Sequence, residues 1–276
     1  MRSNPRNRDS KSGDGGDPAD SRDAQLSTTL TRGLRVLEAF RSNDDGPLGN
    51  REVAQRTGLH KATVSRLVHT LASLGYVSID PKTGGYSLAP GVLSFSHVFL
   101  SRLDIRATAR PLLQRLAAPA GTTVVLAMRD RLMMTTIEAF VADPRFQLRA
   151  WVGASAPIAL AASGHAHLAG LAPERRAELL QRLQLEHAQD WPVVSQRIER
   201  SLQSVAARGF CLELGEWKPH INDVAVPVVL DAAHHTVLTI ACGGPPQLLP
   251  QDKLEELGTV MVSLKQELEY LLAGRM

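Results

Sequence analysis

The amino-acid sequence predicts an α+β protein, in which a small helical N-terminal part precedes a larger part built from a mixed sheet flanked by helices. Two observations support this prediction. Apolar residues in the first third of the chain recur at three- and four-residue spacing, which is typical of amphipathic helices. In the remainder, runs of β-branched residues alternate with helical patterns, so strands and helices are expected to share one layered core. A chain of 276 residues, 43% of them hydrophobic, can bury such a core.

Residues 1–27 are rich in Ser, Asp, Arg, Asn and Gly and contain almost no apolar side chains. Such a segment cannot bury enough apolar surface to offset the entropy of ordering, so we expect a disordered tail. Its basic and acidic residues cancel, which favours a solvated tail. The alternative is that Arg2, Arg6 and Arg8 make transient contacts to phosphates.

The stretch 48–76 predicts two helices joined by a glycine-containing turn, which is a helix-turn-helix. The second helix carries an apolar stripe of Val64, Leu67, Val68, Leu71 and Leu74. Its opposite face is small, polar and basic, which suits insertion into the major groove of DNA. The plainer alternative is a helical subdomain whose polar face only meets solvent.

Two short runs that alternate in period two, at residues 76–80 and 86–88, predict a hairpin directly after the second helix. Strong turn residues separate them, and Lys82 lies at the tip. Together with a first helix marked by Leu30, Leu34, Leu37 and Phe40, this makes residues 28–90 a winged helix-turn-helix domain. Winged helices also bind proteins, so a protein partner in place of DNA remains the alternative.

The charge distribution favours DNA as the partner of this domain. Residues 28–100 hold eight Arg and Lys against five Asp and Glu, whereas the chain on either side is neutral, so the whole excess of +3 lies here. We expect Arg66 to contact a guanine, and Lys61 and Lys82 to contact phosphates. The full set of expected DNA-contacting residues is Lys61, Ala62, Thr63, Ser65, Arg66, His69 and Lys82.

After Pro90-Gly91, residues 91–104 predict a linker helix with a surplus of apolar residues, which suggests packing against a second copy. Residues 105–276 predict the α+β domain. Strands are expected at residues 123–128, 133–139, 146–152, 210–214, 223–230 and 236–242, with helices at 105–119, 163–171, 173–183, 196–209 and 250–273.

Residues 28–100 resemble the N-terminal domain of the IclR family of bacterial transcriptional regulators, through residues 34–40, 52–54, 58–67, 74–77 and 85–88. The sequence departs from the family pattern at Gly49 and His60. The resemblance continues less tightly to residue 273. It implies a GAF-like effector-binding and oligomerisation domain at residues 105–276, a homodimer or dimer of dimers, a palindromic operator in double-stranded DNA, and transcriptional control by a small molecule.

The resemblance also implies an effector pocket over the central sheet. The matching positions are Ala162, Ser163, Glu213, Asp223, Ala241 and Gly243. Ser163 is expected to cap a helix start whose free N–H groups would bind a carboxylate, which makes an organic or aromatic acid one effector class to consider. The two acidic residues would repel an anion unless they bond to its hydroxyls or stay out of reach. Trp151 is a possible wall, although a core tryptophan is favoured, and all these positions would also fit a plain core.

No enzyme, cofactor or metal site is predicted. The sequence lacks a nucleophile elbow, a phosphate loop and a dinucleotide fingerprint. His165 and His167 are two residues apart, a spacing that points them to different sides of a helix. A paired-carboxylate hydrolase using Glu213, Glu216 and Asp223 is conceivable, but solvated loop carboxylates are the favoured interpretation.

The remaining features predict a cytoplasmic protein. Cys211 and Cys242 are too few for a disulfide framework and are expected to be buried free thiols. No signal peptide is recognised at the start of the chain. The uncharged run at residues 150–173 contains proline, two histidines and three glycines, so we interpret it as buried structure rather than a membrane span.

Overall fold

The computed structural model describes residues 27–142, 151–231 and 236–273. Its internal contacts divide the chain into two units, Met1–Phe99 and Leu100–Met276. The boundary falls inside the helix α4 (Val92–Ser101), within the linker helix expected at residues 91–104. Except for Ser27, the N-terminal tail of the sequence analysis lies outside the described residues.

The first unit has the expected winged helix-turn-helix order. Before α4 it contains α1 (Thr28–Glu38), α2 (Asn50–Thr57), α3 (Lys61–Ser73), β1 (Val77–Ile79) and β2 (Tyr86–Leu88). Gly58, with φ +70°, takes the left-handed conformation that ends α2 and lets the chain turn into α3. The two strands pair antiparallel, and Leu48 adds a single bridge to Tyr86.

A small cluster of fully or nearly fully buried side chains holds this unit together. It includes Val36, Val53, Val64, Val68 and Val77. The expected stripe of α3 is therefore correct up to Leu71, but Leu74 is exposed because the helix ends at Ser73 and the chain turns away. Leu30 and Leu34 are also exposed, so α1 meets this core through Val36 and Leu37, and Ala39 joins the core just after the helix ends.

The second unit is a six-stranded sheet flanked by helices, which agrees with the predicted α+β class. Its elements are α5 (Asp104–Ala120), β3 (Thr123–Asp130), β4 (Met133–Val141), β5 (Ser155–Pro157), α6 (Ala162–Gly170), α7 (Pro173–Glu186), α8 (Trp191–Arg208), β6 (Cys211–Leu214), β7 (Asn222–Asp231), β8 (Thr236–Gly244) and α9 (Gln251–Ala273). The strand order is β5-β4-β3-β8-β7-β6.

The sheet is antiparallel at every described pairing, and in this detail the expectation of a mixed sheet was wrong. Parallel neighbours require a crossover connection between adjacent strands. Here the long helical connection α6–α8 runs between the two edge strands, β5 and β6, which are not neighbours. The other consecutive strands of this sheet pair antiparallel, β3 with β4, β4 with β5, β6 with β7 and β7 with β8, and β3 pairs with β8 at the centre.

Both faces of the sheet are covered. Leu113 and Leu116 of α5 and Met261 of α9 belong to one core with alternate residues of the central strands, such as Leu126 and Ile240. On the other side, side chains of α6, α7 and α8 form a separate core that includes Leu168, Leu179, Leu183 and Ile198. The alternation along β3 divides its side chains between the two cores.

Several expectations about individual elements of the second unit differ from the structure. Of the strand expected at residues 146–152, residues 146–150 lie outside the described ranges, and residues 151–152 are not in a strand. The short edge strand β5 was not expected. The helix expected at residues 196–209 begins earlier, at Trp191. Residues 232–235, between the last two strands, lie outside the described ranges. In the described ranges, no helix combines the length and the apolar character needed to cross a membrane.

Candidate functional site

The helix α3 presents a continuous accessible face. Its first residues Lys61 and Ala62 are exposed, as are Arg66 and His69, one and two turns further along. Thr63 and Ser65 are partly exposed at the side of this face. Because Val64 and Val68 are completely buried on the opposite side, the rotation of the helix about its axis is fixed by packing. The six expected α3 residues therefore share one accessible surface.

Two polar contacts fix the position of α3. The side-chain amide of Asn50 donates to the carbonyl of Lys61 at 3.2 Å and to the Tyr86 hydroxyl at 3.3 Å, joining α2 to the start of α3 and to the wing. Arg56 donates to both carboxylate oxygens of Asp44, at 2.7 and 3.0 Å, and to the carbonyl of Ala39. The Arg56 guanidinium lowers the pKa of Asp44 from its ordinary value. These bonds secure the loop after α1 to α2.

The wing holds Lys82 on a defined turn. A carboxylate oxygen of Asp80 accepts from the backbone N–H of Lys82 at 2.7 Å and of Thr83 at 3.3 Å. These backbone donors lower the pKa of Asp80. Gly84, at φ +68°, closes the turn in the left-handed conformation. Lys82 is exposed at the tip, as the sequence predicted.

One basic residue beside α3, Arg32, is not among the residues that the sequence predicted to contact DNA. Arg32 of α1 lines a groove of about 450 Å³ together with Thr29 and the α3 residues Thr63, Arg66 and Thr70. The leucine pattern of α1 gave no sign of this, because it identifies a helix but not the neighbour that a given polar side chain meets. Arg32 therefore joins the set of residues that could contact DNA.

The second unit contains a cavity of about 110 Å³. It is bordered by the central strands, by the start of α6 and by the loop after β6. Small and apolar residues such as Val125, Met134 and Ile221 line it beside the polar Thr123, Trp217 and Lys218. The Lys218 ammonium lies 4.1 Å from the centre of the Trp217 ring, a cation–π contact.

Four of the six expected effector residues meet at this cavity, namely Ser163, Asp223, Ala241 and Gly243. Ala162 does not line it, because its side chain is completely buried against Ala166, Cys211 and Ala225. Glu213 does not line it either. Glu213 is opposite Asp223 in the β6–β7 pair. Its carboxylate accepts a hydrogen bond from the backbone N–H of Trp217 at 2.8 Å.

The helix cap expected at Ser163 was misplaced. The helix α6 begins at Ala162, its cap position is Ala161, and no side chain bonds to the cap. Ser163 is the second helical residue. The start of α6 therefore borders the cavity with uncapped backbone N–H groups and small side chains.

Asp223 lines the cavity and has Glu213 opposite it on β6, so two acidic side chains lie close together at this site. The pKa of Asp223 is raised to about 7, chiefly by burial and also by the neighbouring Glu213, while Lys218 opposes the shift. Burial also raises the pKa of Glu213. One carboxylate oxygen of Glu213 is buried without a hydrogen-bond partner in the described part of the chain. Near neutral pH, Asp223 can therefore exist as a carboxyl group that donates as well as accepts.

Three further residues named in the sequence, Trp151, His165 and Glu216, lie outside the cavity lining. Trp151 is half exposed and does not line the cavity, whereas Trp217 does. His165 is buried, donates from Nε2 to the Ala159 carbonyl and accepts at Nδ1 from Ser201. Glu216 forms an ion pair with Arg200 at 2.7 Å.

Both cysteines, Cys211 and Cys242, are free and buried. Burial raises the pKa of each thiol to about 12. Both are therefore uncharged at neutral pH and behave as small apolar residues.

Comparison with known proteins gives consistent matches. The model of the IclR helix-turn-helix domain matches residues 29–81, and that of the bacterial transcriptional regulator IclR C-terminal domain matches residues 97–267. The chain is 28% identical over 244 residues to the HTH-type transcriptional regulator TsaQ1/TsaQ2 of Comamonas testosteroni, covering 87% of each chain.

Solved structures show the same fold. A crystal structure of an IclR family transcriptional regulator from Brucella abortus is 37% identical, with a TM-score of 0.78, over 91% of this chain and 95% of that one. An IclR homologue from Microbacterium hydrocarbonoxydans, crystallised with 4-hydroxybenzoate, is 20% identical with a TM-score of 0.69, over 90% of this chain and 100% of that one.

Proposed function

The chain belongs to the IclR family of bacterial transcriptional regulators, and from this we propose that it binds a specific operator under the control of a small-molecule effector. The observation that most supports operator binding is the accessible face of α3, with Arg66 near its centre and Lys82 on the adjacent wing. Arg66 is suited to a bidentate contact with guanine, whereas Lys61 and Lys82 are suited to phosphates. Ala62, Thr63, Ser65 and His69 complete the proposed groove-facing set.

We further propose a homodimer or a dimer of dimers. The apolar residues Leu93, Phe95, Val98 and Phe99 of α4 are between 49% and 65% exposed, and within the described chain α4 buries no residue. An apolar helix face of this kind is unfavourable in water unless it is covered. A dimer would present two α3 helices to a palindrome with half-sites about one helical turn apart, or a multiple.

The proposed effector site is the cavity lined by Ser163, Asp223, Ala241 and Gly243, and Ala162 and Glu213 are not part of its lining. An organic or aromatic acid remains the proposed class, and the relative crystallised with 4-hydroxybenzoate belongs to the same fold. Asp223 disfavours a carboxylate next to it, so the hydroxyl of a hydroxy acid is expected at Asp223. The carboxylate of the hydroxy acid is then expected nearer Lys218. Effector binding would shift operator affinity by a coupling free energy of typically ~1–3 kcal/mol.

We propose a cytoplasmic location, where the operator is, and no catalytic activity. The named relatives of the chain are transcriptional regulators. Of the three carboxylates that a hydrolase would use, Glu216 is held in an ion pair with Arg200. Turnover of any ligand that binds the cavity would contradict this part of the proposal.

The test is binding of the full-length protein to the DNA upstream of its own gene and to a scrambled duplex, at two salt concentrations. We expect tighter binding to the upstream DNA and a loss of affinity at higher salt, because phosphate contacts release counterions. If the folded protein binds neither duplex at low salt, operator binding is wrong and the winged helix binds a protein partner instead.

A further inference from the structure

We propose that the second unit holds another binding site, for a small oxyanion that carries its own hydroxyl hydrogen, between β3 and the helix α7. The site is a cavity of about 390 Å³ and shares no lining residue with the proposed effector cavity. Its existence does not depend on operator binding or on the effector.

The lining of this cavity is cationic. Arg129 of β3 and Arg175 and Arg182 of α7 lie around it, with Glu178 as the one acidic residue in the lining. Glu178 accepts from Arg175 at 3.2 Å. The side chains of Arg129 and Arg182 form no hydrogen bond or ion pair with any residue in the described part of the chain. Guanidinium groups that converge without counter-charges favour an oxyanion, which accepts two N–H bonds from each fork.

A buried histidine adds a second requirement. His167 lines the cavity and is only 3% exposed. Its Nδ1 lies 3.1 Å from the Val237 carbonyl, which can only accept, so Nδ1 carries the proton. Burial, together with the nearby Arg129, lowers the pKa of His167 to about 4, so the ring is neutral at pH 7. The Nε2 atom is therefore an acceptor, and it has no partner among the described residues.

These two requirements define the ligand chemistry. A fully ionised anion such as sulfate or acetate satisfies the arginines but offers no hydrogen to Nε2. Hydrogen phosphate and 2-hydroxy carboxylates such as glycolate offer both an anionic oxygen and an O–H group. Because Nε2 is buried, a ligand reaches it only if neighbouring side chains move. The side chains of Arg129 and Arg182 have no partner within the described ranges that would hold them in place.

The test is calorimetric titration of the full-length protein at pH 7 with two matched pairs, phosphate against sulfate and glycolate against acetate. We expect phosphate or glycolate to bind with a Kd near 1 mM or below, and its matched anion to bind at least about tenfold more weakly. The pair that shows the preference identifies the source of the oxyanion. Failure of both phosphate and glycolate to bind overturns the proposal, and equal binding within each pair overturns the role of Nε2.

Matched variants locate the site. Arg182→Ala and Arg129→Ala should each weaken binding by about tenfold or more, which is the loss of one charge-assisted pair. Arg176→Ala removes the same charge from the same helix, but Arg176 does not line the cavity, so it should leave the affinity unchanged. If Arg176→Ala weakens binding as much as Arg182→Ala, the affinity depends only on the net positive charge of the helix. The proposed location of the site is then wrong.

His167→Gln tests the acceptor directly and should reduce the preference for phosphate over sulfate. Because His167 is buried, its variant is compared with wild type by thermal unfolding before titration. Should it fail to fold, the His167 ring is followed by NMR in the wild type, where phosphate should shift its resonances and sulfate should not. No shift with phosphate would contradict the proposal. Operator binding of Arg182→Ala should be normal, which separates this proposal from the function above.

Discussion

Arg66 and Lys82 are both exposed cations of the first unit, yet they are expected to contribute differently to operator binding. Arg66 lies in the middle of the α3 face, whereas Lys82 lies at the tip of the wing. We expect Arg66→Ala to cost ~1–3 kcal/mol at the base pair that it contacts and to relax the preference there. Lys82→Ala should weaken binding to all sequences alike and reduce the salt slope by about one.

Fluorescence anisotropy with operators substituted one base pair at a time, at several salt concentrations, measures both effects. Each variant serves as the control for the other. A uniform loss of affinity for Arg66→Ala, with unchanged base preference, would show that Arg66 is another phosphate contact.

Asp223 is expected to lower the stability of the second unit at high pH. Its pKa is about 7 in the folded chain against an ordinary 3.8, so ionisation opposes folding as pH rises through that interval. Asp223→Asn should raise the free energy of unfolding by about 2 kcal/mol at pH 8, after discounting for its partial exposure, and by nothing below pH 4. Urea unfolding at the two pH values measures the difference. An equal gain at both would mean that charge is not the cause.

The buried histidines act in the opposite direction. Burial lowers the pKa of His165 and lowers that of His167 to about 4, below the ordinary 6.5. The free energy of unfolding is therefore unaffected by these rings above pH 6.5. It decreases as pH falls from 6.5 toward 4, because the unfolded chain takes up protons that the buried rings do not. In an Asp223→Asn, Glu213→Gln background, which removes the two carboxyls whose raised pKa opposes this trend, the melting temperature of the second unit should fall through this window. A flat profile would contradict the burial of neutral histidine.

At the scale of single elements, two helical glycines differ in how closely the neighbouring chain packs against them. A Cβ on Gly164 in α6 would lie 2.3 Å from backbone atoms of Ile158, which no rotamer change can relieve. A Cβ on Gly33 in α1 would meet nothing within 4 Å. We expect Gly164→Ala to destabilise the second unit by about 2 kcal/mol or more, and Gly33→Ala to stabilise the first by about 0.5–1 kcal/mol.

Thermal unfolding of the two variants tests this pair of predictions, since each serves as the control for the chemical change in the other. Tolerance of alanine at position 164 would mean that α6 can move away from Ile158. The start of α6 at the proposed effector cavity would then be adjustable.

The elements of the first unit were well predicted, whereas those around the proposed effector cavity were not. The helices α2 and α3 are short, regular and separated by Gly58, so local pattern was sufficient for them. In the second unit, β5 has only three residues and no alternation long enough to recognise. The helix boundary that misplaced Ser163 depends on Ala161, which has no capping side chain to identify it.

At the scale of the whole molecule, the exposed face of α4 is expected to hold two chains together. Leu93 is 65% exposed and Phe99 49%, and both should lie in the proposed dimer contact. We expect the double variant Leu93→Ser, Phe99→Ser to be a monomer and to lose operator affinity, because half-sites are then bound independently. Phe95 is left intact because its ring centre lies 5.5 Å from that of Tyr76.

Sedimentation analysis measures the change in mass, and circular dichroism checks that the variant is folded. Leu185→Ser on α7, where the leucine is 82% exposed, is the matched control and should leave the mass unchanged. An unchanged mass for the double variant would place the dimer contact elsewhere.

The sequence by itself determined the order of the elements of the first unit, the face of α3 and the tip of the wing, because these depend on contacts between residues close in the chain. It also determined the α+β class of the second unit. Only the tertiary structure decided the antiparallel strand order, in which the first and last strands of the sheet pair at its centre. It also decided that Asp223 lines the cavity while Glu213 and Ala162 do not. Those outcomes depend on strand register, helix starts and burial between distant segments, for which a local pattern carries no information.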